Sequence, residues 1–216
     1  RRSSDLKVFY FMDTNLPQGE PSVGQYDYYL KKFGGIFFEL VKVTVLALAI
    51  VVPIRYFLIQ PFYVKGASME PNFHDNEYLI INEITYRFAE PTRGDVVVFK
   101  YPRDPEQYFI KRVIGMPGES VKVDNGLVYL KTVGGEDYQL LDESAYLDGY
   151  VKTYPNLELT MNEGEYFLMG DNRSASLDSR IFGAVGRDFI VGKTWLRAWP
   201  LDKLTNFKDV NYDLNN

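Results

Sequence analysis

Tyr108-Phe109-Ile110-Lys111-Arg112-Val113-Ile114-Gly115 is β-branched and aromatic and closes on a glycine. Such a run predicts a strand, in which alternation sets Phe109, Lys111 and Val113 on one face and turns Arg112 to the other. The same grammar recurs on either side, in Glu77-Tyr78-Leu79-Ile80-Ile81-Asn82 and in Asp95-Val96-Val97-Val98-Phe99-Lys100. Val121-Lys122-Val123 and Leu127-Val128-Tyr129-Leu130 flank Asp124-Asn125-Gly126, and an Asn-Gly turn between two such runs is a strong hairpin signal. Glu165 to Met169 and Ile190 to Ala198 read as later strands, whereas Thr132 to Asn162 is polar and irregular. The expected fold is therefore mainly β. An antiparallel β domain spans residues 63–200, with a small β-ribbon or loop insertion at about 120–165, and residues 201–216 form a C-terminal tail.

Upstream the pattern changes. Residues 1–35 read as a polar tail broken by Pro17, Gly19, Pro21 and Gly24, and residues 36–62 are strongly apolar. Val43 to Ile54 runs twelve residues without a charge. A bilayer needs about 20 mostly apolar residues, so a single transmembrane helix over 36–62 requires Lys42 and Arg55 to reach out toward the interface. Pro53 kinks such a helix without ending it in lipid. An amphipathic surface or core helix is the alternative. A cleaved signal peptide fits poorly, because the run starts far from residue 1 and Ser-Met-Glu-Pro is no small-residue cleavage site. Lys31, Lys32 and Lys42 on the near side, against Lys65 beyond, favour a cytoplasmic N-terminus with the β domain outside.

Composition narrows the chemistry. The 216 residues suffice for one sizeable domain, and a net charge of -5 argues against a nucleic-acid binder, which shows a clustered basic face. With no Cys there is no disulfide framework, thiolate metal site or Cys nucleophile, and no cofactor or metal is called for.

A hydroxyl nucleophile needs a base to take its proton. Ser68 stands in Gly66-Ala67-Ser68-Met69-Glu70-Pro71, directly after the apolar segment. This is no hydrolase elbow, since Glu70 replaces the second glycine, and no Ser-Xaa-Xaa-Lys motif starts there. The one His, His74, lies six residues on in the same expected loop and reads as a surface residue. Lys111 remains as the candidate base, although the same strand would also suit a Lys on a solvent face. To be neutral near pH 7 to 8 its pKa must fall from about 10.4, roughly 4 kcal/mol of differential destabilisation, which burial can supply. A third segment, Gly170-Asp171-Asn172-Arg173-Ser174-Ala175-Ser176-Leu177-Asp178-Ser179-Arg180, is dense in charge and hydroxyls, and its plain reading is a solvated turn.

Taken in order, GASMEP after the apolar run, KRVIGMPGE at Lys111 to Glu119 and GDNRSASLDSR at Gly170 to Arg180 resemble the boxes of type I signal peptidases. RGDVVVF at Arg93 to Phe99 and GKTWLRAWP at Gly192 to Pro200 fit as well, so the resemblance covers about Phe37 to Pro200. It implies a serine endopeptidase of the bacterial plasma membrane that removes signal peptides from exported preproteins, cutting after small residues, with the bilayer as its other partner. It further implies Ser68 as nucleophile, Lys111 as general base, Ser176 as the hydroxyl that orients the Lys amine, and Asp178 with Arg180 as a supporting ion pair. Where some relatives carry an oxyanion-binding hydroxyl this chain has Gly66, which leaves the oxyanion to backbone N–H groups, most simply that of Ser68. Val64 is a candidate pocket wall, Lys65 replaces a small or apolar residue at the cleft edge, and Phe62, Tyr63 and Phe73 form a candidate membrane-facing rim. The alternatives are a self-cleaving Ser/Lys peptidase of the repressor-autoprotease type and a membrane-tethered β domain that binds peptides without cutting them.

Overall fold

A computed structural model describes residues 23–57, 59–207, 210 and 212. The chain divides into two units, residues 1–51 and 52–216. Helix α1, Val23–Phe57, contains a 23-residue stretch, Lys31–Pro53, long and apolar enough to cross a membrane. Its large apolar side chains from Phe33 to Val52 are exposed, as in a helix whose solvent is lipid. The expected anchor at 36–62 is thus displaced toward the N-terminus. Nothing from Val23 to Lys32 forbids helix, so the apolar run propagates backward into residues expected to be irregular. At the other end Pro61 cannot continue a helix and sits instead in an edge strand, where its missing N–H is harmless. The remainder of the expected N-terminal tail, residues 1–22, lies outside the described residues.

The second unit is antiparallel β. Its strands in chain order are β1 (Ile59–Tyr63), β2 (Tyr78–Asn82), β3 (Val96–Tyr101), β4 (Asp104–Gly115), β5 (Ser120–Asp124) and β6 (Leu127–Lys131). They continue with β7 (Gln139–Leu140), β8 (Leu157–Thr160), β9 (Glu165–Met169), β10 (Val185–Gly186), β11 (Ile190–Trp199) and β12 (Thr205–Asn206). The larger sheet runs β1-β2-β11-β3-β4-β9-β10, with β12 added on β11. The residues expected to form an insertion make a second sheet, β7-β6-β5-β8. The Asn-Gly turn is present, with Asn125 and Gly126 both at positive φ, the geometry of a tight hairpin turn. Thr132 to Asn162 is less irregular than its composition, because Leu157–Thr160 returns to pair with β5.

Both faces of β3 are buried, which is why Val96 to Phe99 is a continuous apolar run and not an alternating one. On one side Val96 and Val98 pack with Leu79, Ile81, Val64, Met69 and Phe73. The turn that carries Ser68 is thereby fastened to the sheet through Met69 and Phe73. Phe73 is 1% exposed, so it belongs to the core and not to the rim expected with Phe62 and the 42% exposed Tyr63. A buried Phe at the base of this turn fixes its position in a way an interfacial one would not. Residues after 200 also depart from the expected peripheral tail: β12 pairs with β11, and Phe207, Val210 and Tyr212 pack against the core clusters.

Candidate active site

Ser68 stands just beyond β1, at the start of a turn closed by Asn72 and Phe73 N–H groups donating to the Met69 carbonyl oxygen at 3.0 and 2.9 Å. Lys111 reaches it from β4. The Lys111 Nζ donates to Ser68 Oγ at 2.8 Å and to the Ile110 carbonyl oxygen at 2.7 Å. Lys111 is only 3% exposed, and burial pushes its pKa down to about 8, against the carboxylates of Asp178 and Asp171, which favour the charged form. Desolvation wins because no carboxylate contacts the amine directly. One proton fewer leaves the amine a lone pair aimed at the Ser68 hydroxyl.

Ser68 and Lys111 open onto a cavity of about 380 Å³ lined mainly by apolar side chains, among them Val64, Leu79, Val98 and Ile110. Val64 is among the side chains that wall it. His74 does not line this cavity, and its contact is with Glu70 at 3.7 Å, so imidazole plays no part beside Ser68. Gly66 is at φ +87°, a conformation that favours glycine, and its N–H is taken by Asp75 Oδ1 at 2.7 Å. It therefore has no donor to offer an oxyanion. The Ser68 N–H has no acceptor among the described residues and remains available.

The segment Gly170 to Arg180 is in large part a buried scaffold and not a solvated turn: Asp171, Arg173, Asp178 and Ser179 are all buried, and only Ser174, Ala175 and Leu177 are exposed. Asp178 accepts from the Gly170 N–H at 3.0 Å and from Arg180 Nε and Nη2 at 2.8 and 2.7 Å. Burial alone would raise the Asp178 pKa, but the Arg180 guanidinium and the Gly170 N–H outweigh it and hold the carboxyl below its usual range. Arg180 also ties Arg173 O and Tyr154 O at 2.8 and 2.6 Å, so the pair staples three stretches of chain. Ser176 is placed differently from expectation. Its Oγ is buried within electrostatic reach of Asp178 and makes no hydrogen bond of ordinary geometry. The second partner of the amine is Ile110 O, the carbonyl of its own neighbour in the strand.

Several working parts were not singled out from sequence. Arg112, on the face of β4 opposite Lys111, makes a double hydrogen bond to Asp171 at 2.8 and 2.7 Å, both residues being buried. The signal was present, since a buried guanidinium inside an apolar strand requires a carboxylate, although its partner 59 positions away was not identifiable. Asn172 donates its N–H to Ser68 O at 3.1 Å and its side chain to Ala67 O at 3.0 Å. Gly170 allows the close approach, because a Cβ there would land on the Ser176 hydroxyl and the Ser68 carbonyl oxygen. Among the described residues there is no cluster of His, Asp or Glu suited to hold a metal ion.

Residues 37–199 match the family model described as signal peptidase, peptidase S26. A probable signal peptidase I-2 of Synechocystis is 36% identical over 172 residues, covering 77% of this chain and 75% of the relative. A signal peptidase IB of Staphylococcus aureus is 35% identical over 169 residues, covering 74% and 84%. A crystal structure of a signal peptidase I from Enterococcus faecalis overlaps 49% of this chain and 97% of its own, with 31% identity and a TM-score of 0.39.

Proposed function

Because the chain belongs to the signal peptidase family, peptidase S26, and is a serine endopeptidase that removes signal peptides, we propose that Ser68 and Lys111 carry the reaction. The observation behind this reading is the 2.8 Å contact between Ser68 Oγ and a buried amine whose pKa lies at about 8. As Oγ attacks the carbonyl carbon of the scissile peptide, the neutral amine takes the hydroxyl proton. The oxyanion gathers on the Ser68 N–H. The ammonium then gives its proton to the departing nitrogen, the C–N bond breaks, and the signal peptide is left as an ester on Ser68. Water attacks the ester while the same amine accepts its proton, and return of that proton to Oγ restores the enzyme.

Ile110 O aims the amine, and the Asp178 and Arg180 pair holds the loop that backs it. The apolar cavity beside Ser68, walled by Val64, suits small side chains before the cut. The protein is membrane-anchored through α1. We further infer that α1 crosses the bacterial plasma membrane once, with the N-terminus in the cytoplasm, and that preproteins reach the β domain on the outer side.

Cleavage of a signal-bearing precursor in detergent tests the dyad. Ser68→Ala and Lys111→Ala are each expected to abolish product while leaving a folded β domain by circular dichroism. Substantial turnover by either variant would reject the assignment.

A further inference from the structure

The segment that follows β11 touches both halves of the catalytic scaffold. Its first contact is with the Ser68 turn. The Phe207 N–H donates to Trp195 O at 3.1 Å, and its ring lies on Phe73 with centroids 4.5 Å apart. The Arg197 guanidinium caps both rings at 5.8 and 5.3 Å and reaches the Asn72 carbonyl oxygen. Phe73 and Asn72 are the residues whose N–H groups close the turn that begins at Ser68.

The second contact is with the Arg112 and Asp171 pair. Tyr212 meets Tyr146 edge-on at 6.3 Å, and the Arg112 guanidinium carbon lies over the Tyr146 ring, 4.0 Å from its centroid. Asn72 Nδ2 joins the two halves, donating to Tyr146 O at 2.7 Å and to Asp171 Oδ2 at 2.9 Å. Gly94, whose carbonyl accepts from Arg112 at 2.9 Å, leaves the room this crossing needs. A Cβ at Gly94 would come within 2.8 Å of the Tyr212 ring and 3.1 Å of Val210.

We propose that Phe207 and Tyr212 are positioning residues: by packing on Phe73 and Tyr146 they hold the Ser68 turn and the Asp171 loop in mutual register. Neither lines the Ser68 cavity, so neither contributes to binding the peptide there. Their effect belongs in the chemical step, where a displacement near 1 Å can cost about a hundredfold. The Tyr212 hydroxyl is buried near the Tyr146 hydroxyl but makes no hydrogen bond of ordinary geometry among the described residues, so the ring more than the phenol does the packing.

The inference rests on the Ser68 and Lys111 reading, and steady-state precursor cleavage by the full chain, in one series with wild type and Lys111→Ala, separates the two. If Lys111→Ala retains turnover, the dyad reading fails whatever Phe207 and Tyr212 do. With the dyad intact, Phe207→Ala and Tyr212→Ala are expected to lower kcat about tenfold or more at nearly constant KM, and Tyr212→Phe is expected to keep wild-type kcat. Wild-type kcat in both alanine variants overturns the proposal. So does a loss that merely follows the unfolded fraction measured by near-ultraviolet circular dichroism and disappears on cooling well below Tm.

Discussion

Asn172 grips the Ser68 loop twice, through its N–H on the Ser68 carbonyl oxygen and its side-chain amide on the Ala67 carbonyl oxygen. Only the second bond depends on the side chain. Asn172→Ala removes that bond together with the one its Oδ1 accepts from Ser174 Oγ at 3.0 Å, both neutral and at a partly exposed site, a stability cost of about 1 to 2 kcal/mol. Because the loop it steadies carries Oγ, kcat is expected to fall further than that cost implies, by roughly tenfold. Denaturant titration and precursor cleavage on one preparation check this, and an unchanged kcat would remove Asn172 from the positioning set.

The buried amine sets the pH dependence. With its pKa near 8, Lys111 is charged and unable to accept a proton below that value, so kcat/KM should drop tenfold per unit on acidification below about 8. Stability follows the same group. The folded pKa lies below the unfolded one, so the penalty for a buried charge is present in full below about 8 and vanishes as pH rises from about 8 to 10.5. Denaturation of wild type and Lys111→Met across that interval should show the difference between them changing by a few kcal/mol. A constant difference would mean that Lys111 titrates as an exposed lysine.

Ser176 offers a sharper discrimination. Its hydroxyl is buried beside Asp178 and makes no hydrogen bond of ordinary geometry among the described residues, so Ser176→Ala gives up at most a weak interaction with the carboxylate and should change stability by less than about 1 kcal/mol. With Ile110 O already holding the amine, turnover is expected to fall less than about tenfold. A loss as deep as that of Lys111→Ala would instead place the hydroxyl on the amine during the reaction.

Lys65 and Lys111 are the only charged side chains among the described residues lining the cavity, and Lys65 is exposed at its edge. Precursors with an acidic residue beside the cut are expected to be processed about two- to fivefold better than those with a lysine there, the size of an exposed charge pair. Lys65→Glu should reverse the order, and added salt should erase it. Equal rates across such a panel would dismiss Lys65 as a selector.

How much was legible beforehand depended on how local the signal was. The strands and the Asn-Gly hairpin follow from residue types, and the candidacy of Ser68 and Lys111, which the fold brings within 2.8 Å of each other, from the scarcity of other nucleophiles and bases. The start of α1 at Val23 was hidden because Gly24, Asp27 and a run of tyrosines carry no helical period of their own. Pairing of β8 with β5 was hidden for a different reason: Leu157–Thr160 shows its strand character only against Ser120–Val123. The Arg112 partner, the Asn172 grip and the packing of Phe207 and Tyr212 are all contacts between distant segments. Sequence spacing carries no trace of these. Ser176 was assigned through family resemblance, and the geometry moved it from the amine to the neighbourhood of Asp178.

Adjacent residues on β4 carry opposite duties, Lys111 beside Ser68 and Arg112 beside Asp171. A slip of one residue in the pairing of β4 with β3 or β9 would exchange their faces. A slip in one direction would bring a permanently charged guanidinium to Ser68 and set Val113 against Asp171, and a slip in the other would set Ile110 beside Ser68 and leave Asp171 with a flexible ammonium in place of a planar fork. On the proposed dyad, misalignment would thus be inactive and unstable together, so the strand proofreads its own alignment with the two side chains that meet Ser68 and Asp171.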